Sequence, residues 1–116
     1  MADLLIITEA WKGWLVINLA GSFILNSIPQ VRKRFDEIES GDHHRIAVDL
    51  TNVIAIDAAG MTILLNFTKS IHRKGGRVML IGPGEAILEE YNRLGFDSEV
   101  PLYAGRVLFE RGVAQP

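Results

Sequence analysis

The chain has 116 residues, 48% of them hydrophobic, and this length supports one domain over 1–116, since two halves would each be too small to bury a core easily. With 12 Lys and Arg against 14 Asp and Glu the net charge is −2, which excludes the diffuse positive field that draws proteins to nucleic-acid backbones. Cysteine is absent, so disulfide scaffolds, thiol nucleophiles, redox pairs and thiolate metal sites are all excluded.

Asp3 stands where a secretory signal would carry positive charge, so export by that route is not expected. The best apolar stretch, Val53 to Leu65, contains Asp57 and is too short to cross a bilayer, which predicts a cytoplasmic chain without direct membrane insertion. In chain order, Leu4 to Glu9 and Trp14 to Leu19 are branched, apolar runs separated by Lys12 and Gly13, the chemistry of a tight hairpin turn. From Asn26 the spacing becomes helical: Ile28, Val31, Phe35 and Ile38 share a face, Asn26 or Ser27 can cap, Pro29 suits the first turn and Gly41 stops the run. Ile46 to Leu50 reads as a strand that Ile54 to Ile56 would extend. Gly60 to Lys74 carries Ile63, Leu64, Phe67, Thr68 and Ile71 at spacings of three and four, a second helix with a cationic, glycine-terminated end. Val78 to Ile81 is an apolar strand, Glu85 to Leu94 a third helix closed by Gly95, Pro101 to Tyr103 a brief strand and Arg106 to Arg111 a last short helix. Strands alternating with helices after an initial hairpin predict an α/β domain: a mostly parallel sheet with an antiparallel N-terminal hairpin and helices packed on it.

Most candidate chemistry dissolves on inspection. Gly82-Pro83-Gly84 opens a helix after a strand, but the sixth position of a dinucleotide-binding glycine motif is Ile87, so a turn role is expected. Asp57 to Gly60 spells D-x-x-G, yet no phosphate-binding loop with its lysine exists in the chain, which rejects a GTPase. His43 and His44 are adjacent in a polar loop, with only Asp42 nearby, and lack helix-spaced ligand geometry, so no metal or cofactor is expected; His72 suits the last turn of a helix. Carboxylates such as Glu37, Glu89 and Glu90 fall on helix surfaces, no histidine suggests a catalytic triad, and an enzyme is not expected. Trp11 and Trp14 flank the hairpin turn as lids over a core, while Ile24, Leu25 and Ile28 form an apolar patch at the exit from the hairpin, part of which is expected to be exposed. Asp57 precedes a helix, where a carboxylate accepts backbone N–H bonds and meets the positive end of the dipole.

The run from Ile46 to Gly82 resembles the signature of the STAS domain, the module of bacterial anti-sigma factor antagonists. Asp49-Leu50, Asp57 to Gly60, Ile63 to Leu65, Lys74-Gly75-Gly76 and Val78 to Ile81 fall in register with it, and Leu88 to Phe96 approximates its next helix and helix end. The resemblance covers nearly the whole chain and implies a non-enzymatic domain that regulates transcription by binding a partner, foremost an anti-sigma factor of serine kinase type. The implied contact residues are Asp57, Ala58, Ala59, Gly60, Met61 and Thr62, helped by a turn containing Ser22 and Asn26. Small residues at Ala58 to Gly60 would leave the helix start open to close approach, or would serve tight packing against a neighbouring loop.

Two positions depart from the family. The residue before the glycine is the family's phosphoacceptor serine or threonine, and Ala59 has no hydroxyl; Thr62, one turn on, is a displaced substitute, and Thr51 is the other nearby hydroxyl. Ile24 stands roughly where many antagonists carry an acidic residue. An alternative within the same resemblance is a STAS subunit of a lipid-transport ABC complex, and a third is a scaffold or small-ligand signalling module; a homodimer is compatible with each.

Overall fold

The computed structural model describes residues 4–93 and 100–113. The expectations placed on Leu94, Gly95 and Phe96 lie outside the described residues. Two strands, β1 (Leu4–Trp11) and β2 (Trp14–Phe23), form the hairpin. Lys12 (φ 46°) and Gly13 (φ 84°) both occupy the left-handed region at its tip, the geometry that lets a two-residue turn match the strand twist. A single 3-10 turn, Leu25–Ser27, leads into α1 (Ile28–Ser40). Then follow β3 (Arg45–Ile56), α2 (Ala58–Arg73), β4 (Arg77–Ile81), α3 (Glu85–Arg93), β5 (Leu102–Tyr103) and α4 (Arg106–Val113).

Among the described residues the sheet has five strands in the order β1-β2-β3-β4-β5, antiparallel at the first pair and parallel at the others. Each parallel step needs a helical crossover, and repeated right-handed crossovers in one direction place α1, α2 and α3 on the same face. There Phe35 stacks on Phe67 with ring centroids 4.1 Å apart and meets Phe23 edge-on, joining α1 and α2 to β2. Ile87 and Tyr91 of α3 close the same core. The opposite face holds a smaller cluster of Trp14, Val16, Ala47, Met79 and Ile81 beneath Phe109 of α4. Trp14 is therefore a core residue, and Trp11 is the half-buried lid.

Several boundaries differ from expectation. β2 runs on to Phe23, whereas the expected extension of β3 by Ile54 to Ile56 is observed, the strand continuing unbroken through the polar Thr51 and Asn52. Register shifts between Asn18 and Ala20 and between Gly21 and Ser22 keep its far end paired with β2. Ser27 is the N-cap residue of α1 without a side-chain cap bond; its hydroxyl donates to the Ser22 carbonyl at 2.6 Å and holds the 3-10 turn against β2. Among the described residues no helix is long and apolar enough to cross a membrane.

Candidate functional site

The carboxyl ends of β2 and β3 deliver the chain to two neighbouring corners, the Ile24–Ser27 turn and the start of α2. Asp57 joins them. Its backbone is extended (φ −114°, ψ −176°), as an N-cap requires, and its Oδ1 accepts from the Gly60 N–H at 2.9 Å. The other oxygen, Oδ2, accepts from the Leu25 N–H at 3.0 Å, and the Asp57 N–H donates to the Phe23 carbonyl at 3.4 Å. Hydrogen bonds to the charged form, chiefly from Gly60 and next from Leu25, hold the Asp57 carboxyl below its ordinary value of 3.8. One side chain thus caps a helix and clips a loop 32 residues away in sequence.

Exposed apolar residues stand close to this clip in the chain. Leu25 is 67% exposed and Ile54 78% exposed, Ala58 is exposed, and Ile24 and Ala59 are half-buried. Asn26 and Thr62 are exposed, and the Thr62 hydroxyl donates to the Ala58 carbonyl at 2.8 Å. The structure brings Ala58, Ala59, Thr62, Asn26 and Asp57 to one end of the sheet, as the sequence suggests, but three candidates face inward. Ser22 and Met61 are buried. Gly60 is also buried, and a Cβ there would lie 2.2 Å from the Phe23 carbonyl oxygen and 2.9 Å from the Phe23 ring. Of the two readings of the small residues, Gly60 follows the packing one and only Ala58 and Ala59 remain open. Sequence reasoning missed Ile54, and it missed that Leu25 is tied to Asp57. The strand pattern at Ile54 predicts half-burial, and the one available signal was a large apolar residue just before a helix cap.

Elsewhere, His44 Nε2 lies 2.9 Å from Asp42 Oδ1, at the other end of the sheet from Asp57, so these groups do not contribute to this site.

The profile of the STAS domain matches residues 6–106. No curated protein sequence matches the chain. Among solved structures, protein TM1081 of Thermotoga maritima superposes with a TM-score of 0.80 at 19% identity, covering 95% of each chain. The Bacillus anti-sigma factor antagonist SpoIIAA, in its unphosphorylated form, has a TM-score of 0.72 at 17% identity and 96% coverage of each chain. A sulfate transporter family protein from Wolinella succinogenes has a TM-score of 0.69 at 19% identity, covering 90% of this chain and 89% of its own. At these identities the likeness speaks for the fold.

Proposed function

The chain belongs to the STAS domain family, and from that premise we propose that it is a non-enzymatic, protein-binding domain of the anti-sigma factor antagonist type. It docks on its partner, an anti-sigma factor of serine kinase type, through the start of α2 and the turn after β2. The observation that carries this reading is the Asp57 clip, which ties the turn after β2 to the start of α2 and leaves Leu25 and the small Ala58 exposed at that junction, with Ile54 exposed at the end of β3. A preorganised apolar patch with a small-residue floor loses little entropy on binding and admits a partner's side chains closely.

Ala59 stands at the family's phosphoacceptor position and carries no hydroxyl. A phosphate there would add about −1.5 to −2 charges at the head of α2, within an apolar surface. Without it, the domain stays in the binding-competent condition at all times. Regulation, where it exists, acts on abundance or on the partner.

The test is calorimetric titration of a serine-kinase anti-sigma factor into wild type, Ala59→Ser and Ala59→Asp, with and without ATP. Wild type should bind and remain free of phosphate. Ala59→Ser should bind equally well, accept phosphate and then lose about 2–5 kcal/mol of affinity, as a desolvated charge in an interface costs. Equal affinity for all forms would move docking to another face, and stoichiometric phosphate on Thr62 of the wild type would overturn the claim of an unswitched surface.

A further inference from the structure

The amino-terminal ends of β2, β3 and β4 lie at the far end of the sheet from Asp57, and their charge is one-sided. Three loops meet there: the hairpin tip with Lys12, the segment before β3 with Asp42, His43 and His44, and the end of α2 with Arg73 and Lys74. The Arg77 N–H donates to the His44 carbonyl at 2.7 Å and ties two of them together. Arg45 and Arg77 are paired positions on the parallel strands β3 and β4, so two guanidinium side chains leave one sheet face side by side. Like charges so placed repel. Among the described residues neither has a carboxylate partner, because the acids at this end are engaged elsewhere: Asp42 with His44, and Glu39 with Ser70 and Lys74.

Beside this pair is a cleft of about 420 Å³ between the hairpin and the segment leading into β3. Trp14 and Leu15 contribute apolar wall, while Arg45, His43 and His44 bring nitrogen groups to it. We infer that this cleft binds a phosphate monoester with a small apolar or aromatic body. The Arg45 guanidinium offers a planar fork of N–H donors to the phosphate oxygens, the imidazoles of His43 and His44 add donors, and Arg77 adds positive field. A dianion suits the site better than a carboxylate does, since Arg45 lines the cleft and Arg77 stands beside it at the paired position on β4. Asp42 opposes an anion, and its contact with His44 is the one that a bound phosphate displaces. The apolar wall takes the body of the ligand.

Phenyl phosphate is a suitable probe for the full chain, followed by the amide NMR signals of residues 42–45 and by tryptophan fluorescence. Saturable shifts are expected with a dissociation constant of about 1 mM or tighter, and none with phenol. Arg45→Gln should weaken binding about tenfold or more, Arg77→Gln about threefold, and Arg32→Gln on the exposed side of α1 not at all, with unfolding curves showing that each variant is folded. Phosphatidylcholine vesicles containing phosphatidic acid present the same phosphomonoester on a surface. Sedimentation of wild type, but not Arg45→Gln, with those vesicles assigns the phosphate to a lipid headgroup; shifts with phenyl phosphate without sedimentation assign it to a soluble ligand. Absence of both responses, with phenyl phosphate raised to about 10 mM, or responses unchanged in Arg45→Gln, would overturn the inference and leave the proposal at Asp57 untouched.

Discussion

The two carboxylate oxygens of Asp57 act over different distances in the chain, one within the first turn of α2 and one across to Leu25. Because both bonds favour the charged form, the folded carboxyl sits below its ordinary value of 3.8. The sign of the pH dependence follows: its contribution is complete above that ordinary value and is lost as pH falls through the lower folded value. Asp57→Asn should therefore lower the urea midpoint at neutral pH, and the two proteins should converge as the solution is acidified. A gap that stays constant over the acid range would mean that the charge contributes nothing. Gly60 makes a different kind of demand, since any Cβ there meets the Phe23 carbonyl. Gly60→Ala is expected to cost about 1–3 kcal/mol in stability, as overpacking does, with partner affinity of the folded fraction unchanged. Reduced affinity at full stability would make this glycine a contact residue instead.

At the scale of elements, α4 is, among the described residues, the one helix on its face, and Phe109 is its buried side chain. Phe109 is fully buried against Trp14 (5.4 Å, edge-on), Tyr103 (5.7 Å, edge-on) and Trp11 (5.7 Å, tilted). An ion pair from Arg106 to Glu9 at 2.7 Å ties the start of α4 to β1, and the same contact, followed by a bond from Asn18, holds the Glu9 carboxyl below its usual range. This pair is partly exposed and is screened by water, so the ring cluster dominates. Phe109→Ala should cost about 3–5 kcal/mol and shift tryptophan emission to the red as Trp14 loses its cover. A loss below about 1 kcal/mol with unchanged emission would show that α4 contributes little to covering this face. The predicted helices at Ile28, Gly60 and Glu85 were legible because their periodic apolar faces all pack on the larger core, whereas the short Arg106 run gives no hint of which face of the sheet it covers.

For the molecule as a whole, the sequential strand order puts β3 at the centre of the sheet, between β2 and β4, while β1 and the two-residue β5 form its edges. Native-state hydrogen exchange should follow that order: amides of β3 and the inner part of β2 open only with global unfolding, and those of α4 open earlier without disturbing the packing of α1 on α2. Equal protection in α4 and β3 would show one cooperative unit spanning both faces. The residue order by itself determined the hairpin, the alternation of strands and helices and the cap at Asp57, because turn chemistry, apolar period and capping are short-range preferences that each segment carries alone. It also placed the D-A-A-G corner at a helix start. The tertiary structure alone decided that Asp57 reaches Leu25, that Gly60, Met61 and Ser22 turn inward while Ile54 stays exposed, and that Arg45 stands beside Arg77. Those outcomes depend on strand register and crossover handedness between segments far apart in the chain, and such contacts leave no periodic trace in the residues that make them.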